Sequence, residues 1–251
     1  FKDLFVNNPG MVEIDLNEVE CQAVGVFDGL IFNNLRTLSV STGEGILGYP
    51  WSESAFSDSL LYAELGSTGM YVDDTAALVR NCPRLKAISL HSAHRDDSDM
   101  YMILATCPNL LHLDLFHNNG VTDNGILQIV TIMTQLRSIN CQCCALLTSK
   151  SLLHLAAHHG STLEEVHISI TGVGTPETQQ HLQAFCEQMT VLHTLCIHGE
   201  EGDLCSTDAA FTIVNGCPAL QTLILHEVTI GASGRRFIQK IRPDLKILDP
   251  M

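Results

Sequence analysis

The residues of this 251-residue chain best equipped for chemistry fall in four short runs. Cys141-Gln142-Cys143-Cys144 and His154-Leu155-Ala156-Ala157-His158-His159 place thiols and imidazoles close together, the donor types from which tetrahedral zinc sites are built. Gly43-Glu44-Gly45-Ile46-Leu47-Gly48 has the glycine spacing of loops that cradle a dinucleotide pyrophosphate. His94-Arg95-Asp96 echoes the catalytic loop of protein kinases. None of the four is complete. Dinucleotide binding needs the third glycine to open a helix, and Tyr49-Pro50 follows instead. The kinase pattern requires Asn where Tyr101 stands, and neither V-A-I-K nor D-F-G accompanies it. His154 and His158 share a helical face, but two imidazoles are half of a tetrahedral donor set. No G-x-S-x-G occurs, and no Cys-His combination is identifiable from the sequence. The expectation is a protein that is not an enzyme and that holds neither metal nor cofactor.

The elements that must position these residues announce themselves as a repeat. The pattern L-x-x-L-x-L recurs as Leu35-Leu38-Val40, Leu85-Ile88-Leu90, Leu110-Leu113-Leu115, Leu136-Ile139-Cys141, Leu163-Val166-Ile168, Leu192-Leu195-Ile197 and Leu220-Leu223-Leu225. Met11-Ile14-Leu16, Leu60-Ala63-Leu65 and Leu245-Leu248 are fainter copies in phase with them. One such triplet arises easily by chance, but ten starts separated by 24 to 29 residues do not. The spacing is that of leucine-rich repeats. Each triplet predicts a short strand, the polar stretch after it a turn, and the remainder a returning helix. Asp73, Asp97, Asp123, Ser149, Thr175, Thr207 and Ser233 stand where those helices should start and are expected to cap them. No single repeat buries its own apolar face, so neighbours must stack. The predicted fold is therefore α/β, a leucine-rich-repeat solenoid or horseshoe with a parallel concave sheet and convex helices. It forms one domain over 1–251.

Within this register the cysteines acquire a structural meaning. Cys141 occupies an inward leucine position, and Cys144 the position that Asn118 holds one unit earlier. Cys143 alone lacks such an explanation. Asn81-Cys82-Pro83-Arg84-Leu85, Thr106-Cys107-Pro108-Asn109-Leu110 and Gly216-Cys217-Pro218-Ala219-Leu220, with Val121-Thr122-Asp123-Asn124-Gly125-Ile126, resemble the cysteine-containing class of leucine-rich repeats. That class is best known from F-box/leucine-rich-repeat proteins. The resemblance covers essentially the whole chain, although the repeats from Leu136, Leu163 and Leu192 lack the Cys-Pro element. It implies a solenoid that recognises a substrate, with an upstream F-box, not contained in this sequence, recruiting a ubiquitin ligase through an adaptor. Two other readings stand beside it. One is a structural subunit of a cytoskeletal, axonemal or organellar assembly. The other is an acidic inhibitor of a basic enzyme, which these short, irregular units fit poorly.

Side chains alternate along a strand, so the polar residues between the leucines should face the concave surface. Tyr62, His91, His112, Asp114, Phe116, Gln142, His167, His198 and His226 form the expected partner-binding stripe, with acidic groups toward the amino end. His198 and His226 fall in register on adjacent strands, where close imidazoles should hinder one another's protonation. The segment 41–59 departs most from the repeat. It holds Trp51, the single tryptophan, and is expected to form an irregular loop with Trp51 as a contact candidate. Leu4 to Met11 aligns without a gap on Leu78 to Leu85, so Phe1 is expected to lie inside a helix and the chain to begin in mid-repeat.

Composition narrows the partners. With 45% hydrophobic and 16% charged residues the chain can build a core. Its 13 Lys and Arg against 28 Asp and Glu give a formal charge of −15, which repels nucleic-acid phosphates and anionic lipids. A neutral or basic protein is the expected partner, without nucleic acid or membrane insertion. The recurring Cys-Pro pairs read as buried thiols rather than a disulfide framework, so a reducing compartment, cytoplasmic or nuclear, is expected.

Overall fold

In the computed structural model, ten strands form one parallel sheet in strict chain order. The structure describes residues 8, 10–17, 31–40, 59–66, 72–172, 174–205 and 207–248. Phe1, Trp51, the glycine run 43–48 and most of the irregular segment 41–59 lie outside them. The strands are β1 (Glu13–Asp15), β2 (Thr37–Ser39), β3 (Tyr62–Glu64), β4 (Ala87–Ser89), β5 (His112–Asp114), β6 (Ser138–Cys141), β7 (Glu165–Ser169), β8 (Thr194–Cys205), β9 (Thr222–Ile230) and β10 (Lys246–Leu248). Every one begins within two residues of a predicted triplet start. The described helices are α1 (Val72–Arg80), α2 (Asp97–Leu104), α3 (Asp123–Ile132), α4 (Lys150–His159), α5 (Pro176–Gln188), α6 (Thr207–Gly216) and α7 (Ala232–Ile241). Each pairs in space with the next, so helices stack in the same order as strands. This is the leucine-rich-repeat solenoid that the periodicity predicts.

The core lies between the sheet and the helices. Leu38, Ala63, Ile88, Leu113, Ile139, Val166, Leu195 and Leu223 are buried from the strands. Met100, Ile129, Leu155, Phe185, Ile213 and Ile238 meet them from the helices in one continuous cluster. Asn118 and Cys144 confirm the shared register. The Asn118 amide donates to the carbonyls of Leu90 and Leu115 at 2.8 and 3.0 Å. The Cys144 thiol donates to that of Leu115 at 3.2 Å. The same repeat position thus uses an amide or a thiol to satisfy backbone oxygens that the turn leaves without a ladder partner.

Helix starts depart from the expected caps by one or two residues at five places. Asp96, not Asp97, caps α2, accepting from the N–H groups of Ser98 and Asp99 at 2.9 and 3.0 Å. Thr122, not Asp123, caps α3. The displaced aspartates reach across to the following repeat. Asp97 accepts from the Thr122 N–H at 2.8 Å and hydroxyl at 2.6 Å, and Asp123 accepts from the Thr148 N–H at 2.9 Å and hydroxyl at 2.6 Å. A Cβ on Gly125 would collide with the Asp97 carboxylate, which explains the glycine in the first turn of α3. Thr175 caps α5 as expected. Ser149 precedes α4 without a side-chain cap bond, Asp73 and Ser233 lie one residue inside α1 and α7, and Thr207 is the first residue of α6. An offset of one residue in the repeat register is enough to separate a cap from a first-turn acid.

β8 and β9 run beyond the three-residue norm, with a register shift between His198 and Asp203. Glu227 stands opposite this irregularity with φ of 58°. Ser92, His117 and Cys143 share that left-handed conformation and the same repeat position, seven residues past the triplet start. The conformation belongs to the turn of the repeat and recurs without glycine, at roughly 1 kcal/mol or more per residue.

Candidate functional site

The open face of the sheet is lined by two rows of side chains that flank the buried leucines. The row nearer the turn reads Asp15, Ser39, Glu64, Ser89, Asp114, Asn140, His167, Cys196, Ile224 and Leu248 across successive strands. It changes character along the solenoid, from alternating acid and serine through amide and imidazole to apolar. Carboxylates on alternate strands stand about 9.6 Å apart, twice the strand spacing, which lessens their repulsion. The serines between them bond onward. Ser39 donates to Glu64 at 2.5 Å and Ser89 to Asp114 at 2.9 Å, while the Asn17 amide donates to Ser39 at 2.6 Å. Asp15, Asp114 and Asn140 each also accept from the backbone N–H two residues on, ending the strand with a side-chain turn. Ser39 and Ser89 are buried by these contacts although they face outward.

The predicted stripe divides into two places. Tyr62, His112, Asp114 and His167 line one groove of about 290 Å³, together with Ser89, Asn140 and Glu165. Burial, and then the carboxylates of Glu64 and Asp114, push the Tyr62 phenol above its ordinary value, so it remains a neutral donor near Glu64. The His167 Nε2 lies 2.8 Å from a Glu165 oxygen. Phe116, two residues beyond Asp114, is 38% exposed, with its ring 6.1 Å from the His117 ring. His91 is half-buried over Gly66, where a Cβ would strike the imidazole, with Nδ1 at 3.0 Å from Ser89 Oγ and 3.9 Å from Glu64. There it closes the network of serines and carboxylates.

The second place gathers Gln142, His198 and His226. The Gln142 amide donates to the Cys196 sulfur at 3.3 Å. This covers a thiol that alternation predicts to be open but that is 1% exposed. The His198 and His226 rings are 5.6 Å apart, tilted by 43°. Burial and then the charges of His198 and His167 lower the pKa of His226, against a smaller opposing pull from Glu227. The expected hindrance shows at His226, with burial the larger cause. Cys143, which the repeat leaves unexplained, completes this place. Its Sγ lies 3.9 Å from His198 Nδ1, and His198 Nε2 lies 3.3 Å from Glu227 Oε2. The two residues 55 positions apart are a Cys-His combination that no local motif signals. The available signal was the register, which puts Cys143 and Glu227 at the same position of different turns.

The other motifs are accounted for by the fold. Arg95 is buried and donates to the Thr75 hydroxyl at 2.9 Å, and its neighbour Asp96 is the α2 cap. Burial pushes the Cys144 thiol up to about 11 and the Cys107 thiol up to about 12, and it raises Cys141 strongly. Among the described residues no cluster of three His, Cys, Asp or Glu has the geometry to hold a metal ion. Among them, too, no helix is long and apolar enough to cross a membrane.

No protein-family model matches the chain. Among solved structures, it is similar to yeast Rad7 in its complex with Elc1, with a TM-score of 0.55 and 12% identity. That match covers 98% of this chain and 56% of Rad7, so the chain spans little more than half of that protein. Looser likenesses are to the leucine-rich-repeat-containing protein LegL7 of Legionella pneumophila and to human 5T4, also called Wnt-activated inhibitory factor 1 or trophoblast glycoprotein. LegL7 has a TM-score of 0.40 and 12% identity, over 93% of this chain and all of LegL7. 5T4 has a TM-score of 0.47 and 10% identity, over 94% of this chain and 76% of 5T4. With ten parallel strands in chain order, the chain is a leucine-rich-repeat protein by fold.

Proposed function

We propose that the open sheet face recognises a basic protein segment and that the chain is the substrate-recognition solenoid of an F-box/leucine-rich-repeat type ubiquitin-ligase receptor. One observation carries the recognition reading. From β1 to β9 the described outward positions hold Glu13, Asp15, Glu64, Asp114 and Glu165 and no Lys or Arg. A face of one sign, rigidly held and shaped into a groove, attracts a cationic partner and repels an anionic one. The apolar end of the row, at Ile224 and Leu248, suits a partner whose charge gives way to hydrophobic residues along the same direction. Phe116 supplies an aromatic anchor beside the acidic half.

The ligase assignment is supported by the Cys-Pro repeat class. Rad7, a protein of similar fold, occurs in a complex with Elc1, and the proposed receptor would likewise act within a protein assembly. The test places a photo-crosslinking amino acid at Phe116 in the full-length protein and, as a control, at Tyr101 on α2. The expected product is a partner crosslinked from Phe116, lost in an Asp114→Lys, Glu165→Lys variant and weakened by salt. A partner crosslinked from Tyr101 instead, or unaffected by charge reversal, overturns the recognition reading. If the partner's ubiquitination does not fall when the charge-reversed variant replaces the natural protein, recognition stands and the ligase role fails.

A further inference from the structure

We infer that Cys143, His198 and Glu227 form a thiol, imidazole and carboxylate relay, and that Cys143 is a site of covalent modification by small uncharged electrophiles of the α,β-unsaturated carbonyl class. Four observations converge. Among the eight cysteines whose side chains the structure describes, Cys143 alone is not buried. Its sulfur faces His198 Nδ1 at 3.9 Å, a separation at which that nitrogen can take the thiol proton. The opposite nitrogen of the same ring lies 3.3 Å from Glu227, which orients the imidazole and stabilises it once charged. A cavity of about 250 Å³ opens beside the sulfur, lined by Ala145, Leu147 and Ile170 with Ser169, Thr171 and Gly199. Its walls offer apolar contact and hydroxyls, with His198 but no Lys or Arg, so an uncharged electrophile fits better than an anionic one.

The turn holds the sulfur in place. The left-handed backbone at Cys143 is the repeat's own, and its N–H donates to Ser169 Oγ at 2.7 Å, tying the turn to the next strand. Burial and the nearby Glu227 carboxylate push the Cys143 thiol above its ordinary range, so little thiolate exists near neutrality without help. A base within reach is then decisive. The described titratable groups around His198 are Cys143 from the β6 turn and His226 and Glu227 from β9, with His167 of β7 beyond His226. In the reaction the S–H proton passes to His198 Nδ1 while the sulfur lone pair forms a C–S bond to the β-carbon. The carbonyl π-system takes up the displaced electron pair, and the imidazolium proton ends on the α-carbon. His198 is neutral again, nothing is oxidised, and the product is a thioether. Cys143 is the nucleophile, His198 the base and Glu227 a positioning residue.

The relay is independent of any protein partner and is tested on the whole chain alone. The protein is treated with limiting N-ethylmaleimide and labelling is resolved by peptide mass spectrometry, with Cys143→Ser to assign the peptide. Cys143 is expected to label ahead of Cys82, Cys107, Cys144 and Cys217 at pH 7. His198→Ala should slow that labelling on the order of tenfold or more at pH 7, and the gap should narrow at pH 10, where hydroxide can take the thiol proton in place of the imidazole. Glu227→Gln should slow it less, and iodoacetamide should outpace iodoacetate. His198→Gln, which keeps a polar side chain of similar reach, repeats the comparison should the alanine variant not fold. The relay is overturned if Cys143 reacts no faster than the buried thiols. It is equally overturned if neither His198 variant slows labelling at pH 7, or if the slowing is the same at pH 10, which marks altered access rather than a lost base.

Discussion

His154, His158 and His159 share one helix, yet only His159 is taken out of water, at 1% exposure. Its Nε2 lies 3.2 Å from the Val130 carbonyl, which can only accept, so this nitrogen carries the hydrogen of a neutral ring. Nδ1 meets the Thr162 hydroxyl at 3.0 Å. Burial is the main cause that lowers the His159 pKa below its ordinary value. A lowered folded-state value means that the unfolded chain binds a proton which the folded chain refuses, so stability rises with pH across that window. The contribution of His159 should be fully present above the ordinary histidine value, about 6.5, and be lost as pH falls below it. His226, lowered in the same direction, adds an effect of the same sign. Urea midpoints measured from pH 5 to 8 should therefore climb with pH, and His159→Gln should flatten the climb. An unchanged slope in that variant would show that His159 is not the titrating group. In sequence, the three histidines looked alike as candidate ligands, because nothing local says which face of a helix meets the next repeat's carbonyls.

At the scale of elements, the informative residues are the aspartates that miss their own helix cap. Asp97 and Asp123 each bridge to a threonine in the following repeat through one backbone and one hydroxyl donor. They therefore join two repeats as well as favouring the positive end of their own helix. Asp97→Ala and Asp123→Ala should each lower stability by about 1–2 kcal/mol, the size of a lost cap with charged hydrogen bonds. Asp208, an exposed first-turn acid of α6, should cost only the dipole interaction, about 0.3–1 kcal/mol. Equal losses in chemical denaturation for all three would show that the bridges between repeats contribute nothing beyond the helix end. The sequence located all of these helix starts to within a residue or two. It did not distinguish cap from bridge, because both roles ask for a short acidic side chain.

The whole molecule is a one-dimensional stack, and each strand and helix touches chiefly its neighbours in chain order. Stability should then depend on position along the stack. Leu113, buried at the centre, should cost about 2–5 kcal/mol when replaced by alanine. Ile247, half-buried on the terminal strand β10, should cost less and fray locally. Hydrogen exchange should show β10 opening well before β5, and a single uniform opening of both strands would contradict the picture. Function follows the same geometry, since the row from Asp15 to Leu248 exists only because ten strands hold one register.

The periodic leucines alone determined the fold, the ten strand positions and the outward row, because a strand's side chains alternate and one triplet per turn leaves a single way to stack. The burial of Cys82, Cys107 and Cys217 was legible for the same reason, since all three recur at one repeat position. Tertiary structure alone decided what lies across strands. It brought Cys143 to His198 and Glu227, covered Cys196 with Gln142, laid His91 over Gly66 and separated the predicted stripe into a groove and a thiol-bearing cluster. These contacts link residues about one or two repeats apart and depend on side-chain rotamers and on the irregularity between β8 and β9, neither of which leaves a periodic trace in the sequence.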